Sequence, residues 1–260
     1  MKVVIEAKNL SKKYIIPRHR RAAHDSLRGA ISQTAKNSIN TVKSAFSSEP
    51  IAGEDDEEVW ALRDISFKIN QGDRVALIGK NGSGKSTLLR ILSRITTPTS
   101  GRVAINGRIA SVLEVGTGFH RELTGRENIF LNGAVLGMKR REIKANFDRI
   151  VEFSEIGQFL DTPVKKFSTG MHTRLAFSIA AHLPCDILLV DEVLAVSDGE
   201  FKARSIAKLA ELAAGNRTLI FVAHDFDLVR AVCTSGLLLE GGYMRCFESL
   251  TGAMQAYESR

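Results

Sequence analysis

The sequence predicts an α/β fold with a parallel core sheet, and three stretches carry that expectation. Arg74-Val75-Ala76-Leu77-Ile78 reads as a strand, passes into the glycine-rich Gly79-Lys80-Asn81-Gly82-Ser83-Gly84-Lys85-Ser86-Thr87, and continues into the helix-like Leu88–Leu92. Asp186–Val190 and Arg217–Ala223 centre on continuous apolar runs, the pattern of strands covered on both faces. Helical stretches, Phe201–Ala213 among them, lie between such strands, as an α/β pattern requires. Ligands of these sheets gather at the carboxyl ends of the strands, so the glycine loop, Asp191-Glu192 and His224 are expected to converge.

In chain order, Val3–Leu10 alternates loosely as a strand and ends in Ser11-Lys12-Lys13-Tyr14. Tyr14 offers an aromatic face that can stack on a base; a half-buried surface tyrosine is the plainer alternative. From Ile15 to Val59 the chain changes character, with Arg18, His19, Arg20 and Arg21 at one end and the acidic run Glu54–Glu58 at the other. Between them Leu27, Ile31, Ala35, Ile39, Val42 and Phe46 recur at helical spacing, interleaved with Arg28, Lys36 and Lys43. This predicts a basic amphipathic helix inside an insertion. It can dock on a membrane protein, lie at a lipid surface, or pack on its own domain.

Trp60–Ile69 alternates as a strand and turns at Gln71-Gly72 into the glycine loop. That loop is a phosphate cradle: Gly79, Gly82 and Gly84 let backbone N–H groups face inward, and the helix that follows adds its positive end. Lys85 then reaches the β- and γ-phosphates of a nucleotide, and the Ser86 hydroxyl is placed for Mg²⁺. Lys80, Asn81, Ser83 and Thr87 complete the cradle. Pro98 and Gly101 break the chain before strands over Arg102–Ile105 and Arg108–Val115. Thr124-Gly125-Arg126-Glu127 has the spacing of a capping box and starts a helix through about Leu136, and Lys139–Phe153 continues helically. These helices form a smaller subdomain. The turn Gly241-Gly242 and a final helix close the chain.

Composition narrows the classes. The chain of 260 residues can bury a full core as one domain. Its longest apolar runs, such as Ile187–Val190, fall far short of the roughly twenty residues that cross a bilayer. Met1-Lys2-Val3-Val4-Ile5-Glu6 places a charge where a signal peptide needs its apolar centre. Cys185, Cys233 and Cys246 are odd in number and far apart, which suits reduced thiols. A net charge of +7 points to an acidic partner, and an anionic leaflet or a nucleic acid qualifies equally.

Phe167-Ser168-Thr169-Gly170-Met171-His172-Thr173-Arg174-Leu175-Ala176 opens a helix that ends near Leu183-Pro184. Taken with Tyr14, Gly79–Thr87, Asp191-Glu192, Asp198 and His224 in this order, it resembles the ATP-binding cassette (ABC) family of ATPases. The resemblance covers nearly the whole chain outside 15–59. Phe167–Met171 sits at the family's signature motif but departs from it at Thr169 and Met171, where glycine and glutamine are usual. The resemblance implies an α/β P-loop NTPase cassette with a parallel core sheet, an antiparallel β subdomain, and a small helical subdomain over about 115–183 that carries the signature. It also implies ATP and Mg²⁺. Asp191 would bind the metal through water, Glu192 would polarise the attacking water, and His224 would contact the γ-phosphate and help place that water. In the family, Ser168, Thr169 and Gly170 close over the nucleotide of a second cassette, with Asp198 at the seam, which implies a homodimer. The family's metal-touching glutamine falls near Glu114, with Val115 an equal alignment, and a residue turning strand into loop is the plainer reading.

A narrower resemblance runs over Leu113–Ile129, which is similar to cassettes that export lipid-linked polysaccharides: O-antigen, capsule and wall teichoic acid. Ser168–Met171, Asp191–Val196 and the basic insertion fit the same subgroup. The implied partners are two copies of a multispanning permease, which handles the glycan, at the cytoplasmic face of a bacterial inner membrane. Some such exporters carry a carbohydrate-binding domain; residues 241–260 are expected to be a short tail without one. The competing class is a soluble cassette ATPase that acts on nucleic acid or ribosomes. One cradle, one signature and no heptad run stand against it, so no nucleic acid is expected.

Overall fold

The computed structural model of the chain describes residues 2–16, 57–111, 118–190, 199–222 and 226–259. The expected helix over 27–46 lies outside them. The chain divides into two compact units, residues 1–12 with 61–260, and residues 13–60. In the smaller unit the Lys13 ammonium pairs with Glu58 at 2.7 Å and lies 5.8 Å from the centroid of the Trp60 ring.

In chain order the elements are β1 Val3–Ile16, β2 Glu57–Asn70, β3 Arg74–Ile78, α1 Lys85–Leu92, β4 Ser100–Ile105, β5 Ile109–Ser111, α2 Gly125–Val135 and α3 Arg140–Ser154. Next come α4 Thr169–Ala181, β6 Ile187–Val190, α5 Gly199–Ala214, β7 Thr218–Phe221, α6 Phe226–Val232, β8 Ser235–Glu240, β9 Tyr243–Phe247 and α7 Leu250–Glu258. Two strand limits differ from expectation. β1 runs on to Ile16 and β2 already begins at Glu57, inside the expected insertion, where Lys13 on β1 pairs with Glu58 on β2. Sequence reading also passed over α6, β8 and β9.

Six strands form one sheet in the order β5-β6-β7-β3-β8-β9, and three form another in the order β2-β1-β4. In the first, every pairing from β5 to β8 is parallel, and only β9 runs antiparallel, against β8. In the second, β1 and β4 are antiparallel. The central strands β6 and β7 are buried at every position, which is why they read as unbroken apolar runs.

Alternation along the strands splits the core in two. Val75, Leu77, Ile187, Leu189 and Ile220 point into a layer shared with α1 and the three-stranded sheet. Ala76, Ile78, Leu188, Val190 and Phe221 point the other way, among the remaining helices. Each fully buried leucine or isoleucine contributes about 1.5–3 kcal/mol relative to exposure. The sheet therefore holds its register firmly, since a one-residue slip would turn every one of these side chains to the wrong layer.

The helical region starts as its sequence says it should. Thr124 Oγ1 accepts from Glu127 N at 3.2 Å, and the Glu127 carboxylate accepts from Thr124 N at 2.9 Å, closing a capping box. Those bonds from Thr124 hold the Glu127 carboxyl below its ordinary pKa. Cys185 and Cys233 are buried, and burial pushes the Cys233 thiol up to about 12, so both serve as packing groups. Among the described residues no helix is long and apolar enough to cross a membrane.

Candidate functional site

The cradle is shaped by what surrounds two glycines. A Cβ on Gly79 would lie 2.3 Å from the Leu239 carbonyl oxygen on β8, and one on Gly84 would lie 2.3 Å from the Ala61 carbonyl oxygen on β2. Both contacts are with backbone and cannot yield. Gly84 also holds φ +108°, a conformation that L side chains rarely adopt. The loop is thus pressed between two strands, with a Ser83 N to Lys80 O bond of 3.1 Å closing its turn.

Helix α1 then begins without a side-chain cap and without an acidic residue in its first turn. Its leading N–H groups and the positive end of its dipole are at the disposal of an anion. Lys85 is 8% exposed, and its ammonium donates to the carbonyls of Gly79 at 2.6 Å and Lys80 at 3.0 Å. Deeper in the loop, the buried Ser83 hydroxyl finds no hydrogen-bond partner among the described residues. Ser86 is exposed and Thr87 half-buried. A backbone-walled cradle, uncapped N–H groups, a buried ammonium and an orphaned hydroxyl together fit a polyphosphate.

The other strands deliver their chains to the same edge. Val190 at the end of β6 pairs with Phe221 of β7, which pairs with Ala76 of β3, and Val222 N donates to Val190 O at 2.8 Å. The carboxyl ends of β3, β6 and β7 therefore lie along one edge of the sheet. Asp191, Glu192 and Asp198 follow β6, and His224 follows β7, but these residues lie outside the described ones, as do Glu114 and Val115. Among the described residues no group of three His, Cys, Asp or Glu side chains is placed to hold a metal ion. Tyr14, in the unit spanning 13–60, is 36% exposed.

Ser168 is the N-cap of α4, its hydroxyl accepting from Met171 N at 3.2 Å. Among the described residues it makes no hydrogen bond to residues 79–87. Ser168 and Thr169 are exposed, and a Cβ on Gly170 would meet nothing nearer than the Ser168 hydroxyl at 3.9 Å. The chain's own packing does not require glycine there. A close approach from outside would.

The family profile described as ABC transporter matches residues 62–195, just over half of the chain. The chain belongs to the ABC transporter family. Within it, an O-antigen export system ATP-binding protein of Myxococcus xanthus is 47% identical over 187 residues, 72% of this cassette and 43% of that protein. A protein of the same description from Klebsiella pneumoniae is 43% identical over 198 residues, covering 76% and 80%. A teichoic acids export ATP-binding protein of Enterococcus faecalis is 38% identical over 230 residues, covering 88% and 50%. The cassette thus spans half or less of two of these three relatives. In fold it is similar to a dimeric ATP-binding cassette in a post-hydrolysis state bound to ADP and phosphate, with a TM-score of 0.69 over 95% of this chain and 98% of that one at 21% identity. Family membership implies nucleotide binding.

Sequence reasoning missed two parts of this cassette. The wall that Leu239 forms against Gly79 comes from β8, whose short Leu237-Leu238-Leu239 run does not by itself mark a strand. Buried Asn128 and Asn132 on α2 were hidden behind the capping box, and two asparagines four residues apart, on the face that also carries buried Gly125, Ile129 and Gly133, were the available signal.

Proposed function

We propose that the chain is the ATP-hydrolysing, nucleotide-binding subunit of an exporter of lipid-linked polysaccharide, O-antigen first among the candidates, at the cytoplasmic face of a bacterial inner membrane. The cradle carries the reading: an uncapped helix start behind a loop walled by backbone, with a buried ammonium beside it. The export systems in which the relatives are named supply the class of cargo.

In this reading the N–H groups of Gly79–Thr87 hold the phosphates of ATP, and Lys85 turns its ammonium from loop carbonyls to the β- and γ-phosphates. Ser86 and Asp191 hold Mg²⁺, with Glu114 as a further ligand; the bound ion offsets charge on the phosphate oxygens. Glu192 polarises the attacking water and His224 helps place it. Ser168, Thr169, Gly170 and Asp198 of one copy complete the site on a second copy. Its support is the exposure of Ser168 and Thr169 and the open space around Gly170.

The shared site has a direct test. Ser168→Arg and Lys85→Ala each disable one half of every site in a homodimer. Mixed, they leave one intact cradle facing one intact Ser168, so ATPase activity is expected to reappear and to peak near equal proportions. A mixture that stays inactive at every ratio refutes the shared arrangement.

For the permease we assign the exposed apolar pair Leu131 and Val135, four residues apart on α2, and the basic segment within 15–59. Removing Arg18–Phe46 is expected to leave ATP binding unchanged and to stop export in cells; unchanged export argues against that assignment. Detergent-dependent co-purification with a multispanning protein supports the exporter, whereas RNA-dependent sedimentation with ribosomes supports the soluble alternative.

A further inference from the structure

A loop at the start of the helical region and the segment leading to Ser168 are stitched together, and the stitch is centred on a buried amide. Asn128 is 0% exposed. Its Nδ2 lies within hydrogen-bonding reach of three carbonyls, those of His120 at 3.1 Å, Leu123 at 3.0 Å and Thr124 at 2.9 Å, while its Oδ1 accepts from His120 N at 2.8 Å. Helix α2 itself asks for none of this, since a buried helical position is served as well by leucine. An amide buried here holds the loop at 120–124.

That loop in turn grips the residues before Ser168. Val164 N donates to Leu123 O at 2.9 Å, Lys165 N to Arg121 O at 3.0 Å, and the Lys165 ammonium pairs with Glu122 at 2.5 Å. On the far side of Ser168, the ring of His172 in the first turn of α4 lies 5.8 Å from Phe119 and 5.8 Å from Phe167, centroid to centroid. Ser168 is therefore bracketed, by a backbone ladder on one side and tilted and edge-to-face ring contacts on the other, and both lead back to the loop that Asn128 fixes.

We propose that Asn128 is a positioning residue for Ser168: by fixing loop 119–124 it sets the place from which Ser168 meets the nucleotide held by a second copy of this chain. The proposal rests on the shared-site reading above. A merely structural amide would lower stability and nucleotide binding together. A positioning amide separates them, because the cradle at 79–87 is built by other elements.

In full-length Asn128→Ala, the Kd of the monomer for a non-hydrolysable ATP analogue is expected to stay within about twofold, while kcat falls on the order of 30- to 100-fold with KM nearly unchanged. Mixing with Lys85→Ala is then expected to restore activity, because the wild-type Ser168 of the Lys85→Ala subunit faces the intact cradle of the other. Ser168→Arg mixed with Lys85→Ala is the control. Recovery in the control but not with Asn128→Ala overturns the proposal; failure of both overturns the shared-site reading and the proposal with it. Should Asn128→Ala not fold, His172→Ala decides in the same mixing experiment. There His172→Phe, which restores a ring against Phe119 and Phe167, is expected to return kcat to within about threefold of wild type. A fully active His172→Ala overturns the proposal.

Discussion

Glu192→Gln is expected to keep ATP bound while hydrolysis falls on the order of 10²- to 10⁴-fold, the range of a lost general base. Glu192 follows in sequence on β6, a strand buried at all four positions that runs parallel to β7, which in turn pairs with β3, the strand that leads into the cradle. The amide is nearly isosteric with the carboxylate, so the fold and the neighbouring Asp191 are undisturbed, but it cannot take a proton from water. Since each proposed site holds its nucleotide between two copies, a variant that binds ATP without hydrolysing it is expected to accumulate as a dimer with ATP and Mg²⁺. Size-exclusion chromatography with light scattering reads that dimer, and phosphate release reads the rate. Unimpaired turnover would remove Glu192 from the chemistry.

The parts of the fold that local rules govern were legible in the sequence. A strand, a glycine-rich turn and a helix at 74–92 are each set by neighbours in the chain, and the capping box at Thr124 is a bond between residues three apart. The continuous apolar runs at 187–190 and 218–221 announced strands with both faces covered, because burial on two sides removes the polar alternation. What sequence could not state is why Gly79 must be glycine. That depends on the carbonyl of Leu239, which lies 160 residues away in the chain and 2.3 Å from where a side chain would begin.

The same limit hid β8. Leu237-Leu238-Leu239 is too short a run to tell strand from buried helix by periodicity. Only its pairing with β3, Leu237 beside Leu77 and Leu238 beside Ile78, gives it a place in the sheet. Asn128 was passed over for a related reason. A helix-interior asparagine looks neutral in sequence, and its meaning comes from four contacts with a loop that folds back on it. On the candidate site, the cradle and Ser168 were legible as motifs because each is a helix start with few side-chain obligations to its own chain.

Lys85→Ala is expected to lose the nucleotide itself, and so to fail one step before Glu192→Gln. The ammonium of Lys85 is buried and donates to two carbonyls of the loop that would cradle the phosphates. On nucleotide binding it exchanges neutral carbonyl partners for charged oxygens, and hydrogen bonds to charged groups are worth about 1.5–3 kcal/mol each. Losing two such bonds weakens ATP binding by about 10²- to 10⁴-fold, read by calorimetry or a fluorescent analogue. The fold should tolerate the change, since alanine is the best helix former at the start of α1 and each carbonyl bond given up is worth about 1 kcal/mol. A fall in Tm of only a few degrees is expected. Lys85→Arg separates charge from shape: it keeps the cation but must fit a planar fork into a loop where even a methyl on Gly79 meets backbone at 2.3 Å. It is expected to bind little better than Lys85→Ala, and neither variant should form the ATP-trapped dimer of Glu192→Gln. Wild-type ATP affinity in Lys85→Ala would mean that the loop at 79–87 holds its ligand without this ammonium, and the assignment of the cradle would have to be withdrawn.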